Sequence, residues 1–356
     1  MPKHAQKRRV HIALSGGVDS AVCALVLKEQ GYDIRGIYMK TWAHEGRPCP
    51  WKEERRDAMR VCAHLGLPFE MWDFTREYKE KVVDYMIAEY AAGRTPNPDV
   101  MCNREIKFGL FFKRALAEGA DYVATGHYAR IHEIRDLRFE ILRAKAREKD
   151  QSYFLWTLTQ RHLSRALFPI GDFASKEKVR ALARVRDLPV AEKPDSQGVC
   201  FIGPIDLGEF LREYIPASPG PIQTVSGRKI GIHSGLPFYT IGQREGIGVG
   251  GTGPYYVARK EAATNTLVVA PPAEERELMA GELVATDCNW IGEVPTAGET
   301  LDVQVRYRQT PVSATVKIRD SKFAIRFAEP VRAVTPGQSV VFYNDDVLLG
   351  GGIIAS

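Results

Sequence analysis

The chain contains 356 residues, enough for two or three domains of about 150 residues each. Its 49 Lys and Arg residues against 44 Asp and Glu residues give a net charge of +5, which permits a nucleic-acid partner without requiring one. With 44% apolar and 26% charged residues, the composition excludes a disordered or collagen-like chain. No apolar run approaches the about 18 residues of a membrane span, and the first nine residues lack the apolar core of a secretion signal. Only 6 residues are Cys, so we expect a cytoplasmic protein of a reducing compartment, not associated with a membrane.

The first half of the chain alternates strand patterns with helix patterns. Short apolar runs rich in β-branched residues predict strands, and amphipathic stretches between them predict helices. The predicted strands are 10–14, 34–39, 69–72 and 122–125, and the predicted helices are 20–30, 53–65 and 105–117. Repetition of this kind is typical of a parallel sheet flanked by helices, so we expect an α/β domain over residues 1–204.

The pattern changes after about residue 204. A single predicted helix at 207–214 is followed by several prolines and by a glycine-rich stretch at 242–253, which predicts a small mixed central domain over 205–275. From Leu283 onward the chain shows only strand patterns, with turns every 8–12 residues or so. This spacing is typical of a small barrel, so we expect a C-terminal β-barrel over 276–356.

A glycine-rich loop follows the first predicted strand and precedes the first predicted helix. Its sequence is Ser15-Gly16-Gly17-Val18-Asp19-Ser20. Two glycines let a ligand approach the backbone closely, and the free N–H groups at the start of a helix attract anions. Asp19 would repel a bare phosphate, but it suits a Mg²⁺ ion that bridges carboxylate and phosphate oxygens. The loop lacks the lysine of a Walker A motif, and an ordinary glycine turn capped by Asp19 is the alternative interpretation.

Two cysteines lie in loops that suggest chemistry. Cys102 ends a segment, 95–102, that two prolines should keep extended, and Asn103 is a suitable N-cap for the helix that follows. We therefore expect Cys102 at a helix N-terminus, where a thiolate is stabilised, with Asp99 nearby as a general acid or base. Cys200 lies in a glycine-containing loop near the predicted domain boundary. Buried packing is the alternative role for both cysteines.

The remaining cysteines give weaker signals. Cys23, Cys62 and Cys288 lie within helix or strand patterns and are expected to pack in the core, whereas Cys49 is ambiguous. The chain contains no Cys-x-x-Cys pair, so its sequence gives little support to zinc or iron–sulfur ligation. We therefore expect no firmly held metal apart from Mg²⁺ with a nucleotide.

Several sequence blocks together resemble a known family. The loop at 15–20 resembles the PP-loop of the ATP pyrophosphatase superfamily, whose fold is that of the adenine nucleotide α-hydrolases. Within that superfamily the chain resembles the tRNA-specific 2-thiouridylases from about residue 10 to its C-terminus. The blocks that carry this resemblance are 97–99 with 102–103, 124–128, 149–155, 195–201 and 306–309.

The resemblance implies that the chain binds ATP, together with Mg²⁺. The nucleotide-binding residues that it implies are Ala13, Leu14, Ser15, Gly16, Gly17, Val18, Asp19, Ser20, Met39 and Gly126. Met39 and Gly126 lie at the carboxyl ends of predicted strands, where open α/β sheets bind their ligands.

The resemblance also implies a reaction: adenylation of the C2 oxygen of the wobble uridine, then displacement of AMP by sulfur. Cys200 would carry the sulfur as a persulfide, received from a sulfur-relay protein or a cysteine desulfurase. Cys102 would attack Cys200 and leave a Cys102–Cys200 disulfide for reduction, with Asp99 as acid or base. The implied tRNA-binding residues are Asn97, Pro98 and Asp99 around the flipped base, and His127, Lys149, Asp150, Gln151, Arg306, Tyr307 and Gln338 elsewhere. We expect a monomer.

Two alternatives stay open at this point. Another PP-loop enzyme, such as an adenylating ligase or an amidotransferase partner, would share the phosphate loop but would have no need of Cys102 and Cys200. A non-catalytic RNA-binding protein that uses the barrel would tolerate the loss of Asp19, whereas a thiolating enzyme would not form AMP without it.

Overall fold

The computed structural model describes residues 7–44, 51–195, 207–249, 253–319 and 322–356. The strands are β1 (Arg9–Ala13), β2 (Asp33–Lys40), β3 (Phe69–Asp73), β4 (Tyr122–Ala124), β5 (Ala129–Glu133), β6 (Phe139–Arg143), β7 (Ala166–Leu167), β8 (Gly220–Thr224), β9 (Lys229–His233), β10 (Tyr256–Glu261), β11 (Thr266–Ala270), β12 (Met279–Trp290), β13 (Thr300–Gln304), β14 (Val312–Arg319), β15 (Lys322–Arg332), β16 (Ser339–Asn344) and β17 (Val347–Ile354). The α-helices are α1 (Val18–Glu29), α2 (Trp51–Leu65), α3 (Thr75–Tyr78), α4 (Asp84–Ala91), α5 (Pro98–Met101), α6 (Phe112–Ala117), α7 (Gln160–Leu163), α8 (Lys176–Val185) and α9 (Leu207–Arg212). Short 3₁₀ turns occupy Arg135–Leu137, Arg147–Lys149, Ser152–Phe154, Leu236–Phe238, Ala262–Thr264 and Pro272–Leu278.

Five parallel strands form the N-terminal sheet, in the order β3-β2-β1-β4-β7. The four strands predicted from periodicity all lie in it, so the predicted parallel sheet with flanking helices is confirmed. From β1 the chain moves outward to β2 and β3, and then returns to place β4 on the other side of β1. The order therefore reverses between β1 and β4, and ligands of open α/β sheets bind at the carboxyl ends of strands beside such a reversal.

The two faces of this sheet are covered by separate layers of helices. On β1, Val10 and Ile12 pack into a cluster with α1, α2 and α8, while Ala13 belongs to the cluster on the opposite face. This second cluster continues into the barrel, because Val341 and Tyr343 of β16 belong to it. Side chains of the parallel strands therefore pack into a separate core on each face of the sheet. The N-terminal domain shares one of these two cores with the barrel.

Two helices contain π-helical segments. One runs over residues 75–91 and is π-helical at Lys79–Val83, and the other runs over 98–117 and is π-helical at Cys102–Phe111. The prediction that the second helix begins after Asn103 is wrong. It begins at Pro98, because proline is well accommodated in the first helical turn and the Asn97 side chain accepts a hydrogen bond from the Val100 N–H at 3.3 Å.

The remaining chain forms a small mixed sheet and a closed barrel, as predicted. The small sheet has the order β10-β11-β8-β9. Strands β12 to β17 are antiparallel, and pairing of β12 with β17 closes them into a barrel. The hairpin β5–β6 of the N-terminal domain pairs with β17 and extends the barrel's sheet. In the part of the chain that the structure describes, no helix has the length and apolar character needed to cross a membrane.

Candidate active site

A cavity of about 410 Å³ lies at the reversal point of the parallel sheet. Its wall includes several residues that the sequence singled out, namely Ser15, Gly17, Val18, Asp19, Asp99, His127, Lys149, Gln151 and Tyr307. It also includes residues that were not among the predicted site residues, namely Glu54, Asn103, Lys107, Tyr128, Phe154, Lys193, Pro194, Asp195 and Arg308. The structure thus brings the phosphate loop, the Asp99 segment and a barrel loop to one site.

The phosphate loop has the backbone that its glycines predict. Gly16 has φ of +74°, and a Cβ there would lie 2.3 Å from the backbone oxygen of Glu54, so only glycine fits. Gly17 is the N-cap of α1 and provides no side chain to cap the helix. The N–H groups of the first turn of α1 are therefore available to an anion at the helix N-terminus.

The two serines of the loop have different surroundings. The Ser20 hydroxyl is buried and donates to the Gly17 oxygen at 3.1 Å, and it lies 3.2 Å from the Ser15 hydroxyl. Ser15 is exposed and lines the cavity. We infer that Ser20 holds the loop in shape and that Ser15 is the hydroxyl that a ligand can reach.

Asp19 is ion-paired with a lysine that the sequence analysis did not single out. The Lys176 ammonium, on α8, donates to both Asp19 oxygens at 2.7 Å, and the Tyr128 hydroxyl donates to Oδ1 at 2.7 Å. The charge that we expected Mg²⁺ to neutralise is thus neutralised by Lys176. Among the residues that the structure describes, no group of three or more His, Cys, Asp or Glu side chains could hold a metal ion. The residues present therefore do not fit a resident Mg²⁺ ion.

Asp195 connects this lysine to the far side of the cavity. Its carboxylate accepts from Lys176 at 2.9 Å, from Lys149 at 3.1 Å and from Arg180 at 2.8 Å. Partial burial opposes ionisation, but the hydrogen bonds from Lys176 and Lys149 prevail and lower the pKa of Asp195 to about 2. Asp195 is therefore an anion that joins the phosphate loop to Lys149.

Cys102 is partly exposed and begins the π-helical segment, and it lies in sequence between Asp99 and Asn103, which both line the cavity. Burial raises the pKa of its thiol, and the nearby Asp99 carboxylate raises it further, while Lys107 and a hydrogen bond with Tyr78 act in the opposite direction. The expectation that Cys102 lies at a helix N-terminus is wrong. The helix has its N-cap at Asn97, six residues before the expected N-cap Asn103, and the effect of its dipole fades within the first turn.

Asp99 faces the cavity from the first turn of the same helix. Its carboxylate is open to the water of the cavity, but the surrounding walls desolvate it and raise its pKa, although Lys107 opposes this shift. A carboxyl group with a raised pKa is suited to exchange a proton with a ligand.

Lys107 and His127 meet at the cavity wall. The Lys107 ammonium lies 3.5 Å from His127 Nε2, and His127 Nδ1 lies 2.7 Å from the Thr125 hydroxyl. Burial and Lys107 hold the pKa of His127 well below its ordinary value, so the imidazole is neutral. Because lysine can only donate, Nε2 is the accepting nitrogen and Nδ1 carries the proton. His127 thus anchors Lys107.

An aromatic pair forms another part of the wall. The rings of Phe154 and Tyr307 lie 4.5 Å apart between centroids, and the Arg308 guanidinium lies 5.2 Å from the Tyr307 ring. Asn103 donates to the Phe154 oxygen at 3.2 Å. Aromatic faces of this kind can stack on an unpaired nucleobase.

Other residues that the resemblance assigns to tRNA hold the protein together. Gln338 donates to the backbone oxygens of Thr95 and Pro96 at 2.9 and 3.0 Å, just before Asn97. Arg306 donates to the Ile241 oxygen at 2.6 Å. The barrel thereby supports both the Asn97–Pro98–Asp99 segment and the loop that precedes β10.

Two neighbouring residues are also engaged internally. The buried Asp150 carboxylate accepts from Arg143 at 3.3 Å, from the Ala144 N–H at 2.9 Å and from the Ser152 hydroxyl at 2.9 Å. Gln151 lines the cavity, but its side-chain oxygen accepts from the Tyr128 N–H at 3.0 Å. Both oxygens of the Asp150 carboxylate are thus engaged within the protein.

The other residues of the implied nucleotide site lie behind the cavity wall. Ala13 and Leu14 are buried, and Met39 packs against the core. A Cβ on Gly126 would lie 3.1 Å from the Ser20 nitrogen, so this glycine lets the loop after β4 contact the start of α1.

Two of the six cysteines lie outside the described residues, Cys49 and Cys200. Cys23, Cys62, Cys102 and Cys288 are free thiols. Cys23 and Cys62 are buried, as expected, and Cys288 is half-buried. Because Cys200 is not among the described residues, the Cys102–Cys200 disulfide stays a prediction.

Three family models match the chain. The model described as the tRNA methyl transferase HUP domain matches residues 8–204. The models described as the tRNA methyl transferase PRC-barrel domain and the aminomethyltransferase beta-barrel domain match residues 208–271 and 280–354.

Curated relatives match over almost the full chain. The tRNA-specific 2-thiouridylase MnmA of Geobacillus thermodenitrificans is 48% identical over 99% of this chain and 96% of its own length. The protein of that name from Staphylococcus saprophyticus is 49% identical over 97% of this chain and 95% of its own length. A solved 4-thiouridine synthetase–RNA complex with bound ATP is 19% identical, with a TM-score of 0.39 over 59% of this chain and 50% of that chain, a likeness too distant to bear on function.

Proposed function

The chain belongs to the tRNA-specific 2-thiouridylase family, and on this premise we propose that it replaces the C2 oxygen of a tRNA uridine with sulfur, using ATP. The observation that carries the proposal is the cavity, whose wall combines the phosphate loop with Asp99 and with the Phe154–Tyr307 pair. A nucleotide at the loop and a base at the aromatic pair would meet inside it. As the resemblance implies, the base is the wobble uridine.

ATP would bind with its phosphates at the N-terminus of α1. The uncapped N–H groups of the first turn and the Ser15 hydroxyl can donate to phosphate oxygens, and Lys176 removes the repulsion that Asp19 would otherwise exert. Mg²⁺ would enter as part of the substrate, bound to the phosphates of ATP, as it usually is.

Adenylation makes the uridine oxygen a leaving group. The C2 oxygen attacks the α-phosphorus of ATP, pyrophosphate departs, and the base carries AMP on that oxygen. Asp99 is the carboxyl group placed to exchange a proton with the base, and its raised pKa keeps some of it protonated above the ordinary range of aspartic acid.

Sulfur transfer would follow at the activated carbon. The terminal sulfur of a persulfide on Cys200 forms the bond to C2, and AMP leaves with the former uridine oxygen. Cys102 attacks the Cys200 sulfur, the bond between the two sulfurs of the persulfide breaks, and a Cys102–Cys200 disulfide remains. A reductant must then reduce the disulfide, so the proposed compartment is the reducing cytoplasm. The proposed sulfur donor is a sulfur-relay protein or a cysteine desulfurase.

The proposal also includes the domain boundaries, the oligomeric state and the tRNA contacts. The domains are residues 1–204, 205–275 and 276–356, and the protein acts as a monomer. The anticodon would lie across the cavity mouth, where Lys149, Tyr307 and the exposed Arg308 can contact it.

The test is thiolation of an unmodified tRNA transcript. We expect the protein, ATP and a persulfide donor to yield AMP, pyrophosphate and 2-thiouridine, identified by nucleoside mass spectrometry. Asp99→Asn and Cys102→Ser should each abolish thiolation while leaving tRNA affinity intact, because phosphate contacts dominate affinity. Asp33→Asn is the matched control, because Asp33 is exposed and is the first residue of β2.

The same experiment distinguishes the alternatives. Formation of pyrophosphate only with a small-molecule acceptor would indicate another PP-loop enzyme. A uridine that gains a methyl group from a methyl donor would agree with the description of the HUP-domain model and contradict thiolation.

A further inference from the structure

Lys107 is a cation of the cavity wall that has no role in the reaction proposed above. It lines the cavity beside Asp99, and among the described residues no carboxylate lies within ion-pairing distance of it. Its ammonium group donates to a neutral acceptor, His127 Nε2, at 3.5 Å. Because the lysine is held in place and is not paired with a carboxylate, its positive charge is available to interact with another group.

The π-helical segment determines which group that is. In an α-helix, residues five apart differ by about 140° around the axis and point away from each other. In a π-helix the hydrogen bonds join residues i and i+5, which brings such residues toward the same face. Cys102 and Lys107 are five apart and both lie within the π-helical segment Cys102–Phe111.

Gly109 allows this local geometry. A Cβ there would lie 2.8 Å from the backbone oxygen of Arg104, the residue five positions earlier. A side chain at 109 would therefore press on the carbonyl group that belongs to the wider turn. The segment can keep its π-helical form because that position has no side chain.

We propose that Lys107 is a positioning residue for sulfur transfer: its ammonium, anchored by His127 and brought to the Cys102 face by the π-helical turn, stabilises the thiolate that Cys102 must become to attack. The inference rests on the proposed function. The thiol proton passes to solvent, and the sulfur keeps the electron pair that forms the new S–S bond.

The other groups around Cys102 agree with this role. Asp99 opposes ionisation of the thiol, and the Tyr78 side chain favours it through a hydrogen bond. Lys107 is the cation among these neighbours, and it acts on both Asp99 and Cys102. When Asp99 accepts a proton, its opposition to ionisation of Cys102 is removed, so that burial of the thiol alone opposes Lys107. Proton transfer at the base and activation of the thiol are thereby coupled.

The experiment measures alkylation of Cys102 by iodoacetamide across a range of pH, followed on its peptide by mass spectrometry, without ATP or tRNA. Lys107→Met should move the midpoint of the profile upward by about one pH unit, because a nearby opposite charge has about that effect. Alkylation at neutral pH should then be about tenfold slower. Lys107→Arg should restore the wild-type profile, and Lys113→Met, which removes an exposed lysine from α6, should leave it unchanged.

An unchanged midpoint in Lys107→Met would overturn the proposal, whatever happens to nucleotide or tRNA binding. If that variant does not fold, Gly109→Ala provides the second measurement, because it retains the lysine but disturbs the π-helical turn. A raised midpoint in Gly109→Ala would support the proposal, and an unchanged one would refute it. Failure of the proposed function would show instead as a lack of thiolation in the wild-type protein, which this experiment does not measure.

Discussion

Replacing Lys176 by methionine removes the ammonium that joins Asp19 to Asp195 and keeps an unbranched apolar side chain. The lysine side chain is only 7% exposed, while those of Asp19 and Asp195 are 31% and 38% exposed. Losing one partner of a fully buried ion pair costs about 3–5 kcal/mol, and an exposed pair contributes about 1 kcal/mol or less. Because the lysine is buried and its partners are partly hydrated, we expect a loss of about 2–3 kcal/mol.

The assay is urea denaturation followed by tryptophan fluorescence. Lys178→Met is the matched control, because Lys178 is exposed on the same helix. Asp195 has a pKa lowered from 3.8 to about 2 in the folded protein, so its share of the stability is present above pH 3.8 and is lost as the pH falls toward 2. The difference between wild type and Lys176→Met should shrink over that interval.

Two results would refute this reasoning. Equal free energies of unfolding for Lys176→Met and Lys178→Met would show that the buried lysine does not hold the two carboxylates in solution. A difference that stays constant between pH 5 and pH 2 would show that its effect does not depend on the Asp195 charge.

Three further predictions concern the site and its support. Gly16→Ala should abolish ATP binding in calorimetry without unfolding the protein, because the new Cβ would lie 2.3 Å from the Glu54 oxygen; normal affinity would contradict it. Gln338→Leu removes two hydrogen bonds to the segment before Asn97 and should slow turnover by about tenfold at saturating tRNA, with tRNA affinity unchanged. The reverse pattern would make Gln338 the tRNA contact that the resemblance implies. Ser339→Ala leaves the buried indole N–H of Trp156 without its acceptor and should lower stability by about 1–3 kcal/mol; a smaller loss in urea denaturation would show that another acceptor replaces it.

The features that sequence predicted well are local. The phosphate loop is one strand, two glycines and one helix in succession, so its shape follows from neighbouring residues. The strands of the parallel sheet are predicted from short apolar runs, because such runs are typical of buried strands. The C-terminal barrel follows from the same kind of signal, because the chain from Leu283 onward shows only strand patterns separated by turns.

The features that sequence missed depend on distant partners. Lys176 is 157 positions from Asp19, and nothing in its own helix indicates that it faces the phosphate loop. The hydrogen bonds from Gln338 to the backbone oxygens of Thr95 and Pro96 likewise join residues 243 and 242 positions apart. The start of the helix at Pro98 does not follow from the sequence alone, because proline favours an extended chain before it and is equally favourable in the first turn of a helix.

The most direct test follows the oxygen atom that sulfur replaces. A tRNA whose target uridine carries a heavy oxygen isotope at C2 is incubated with the protein, ATP and a persulfide donor, and the nucleotides are examined by mass spectrometry. If the uridine oxygen is activated by adenylation, the isotope will be found in the phosphate of AMP, in equal amount to the 2-thiouridine formed. Thiolated tRNA with unlabelled AMP, or with the label in pyrophosphate, would contradict this account.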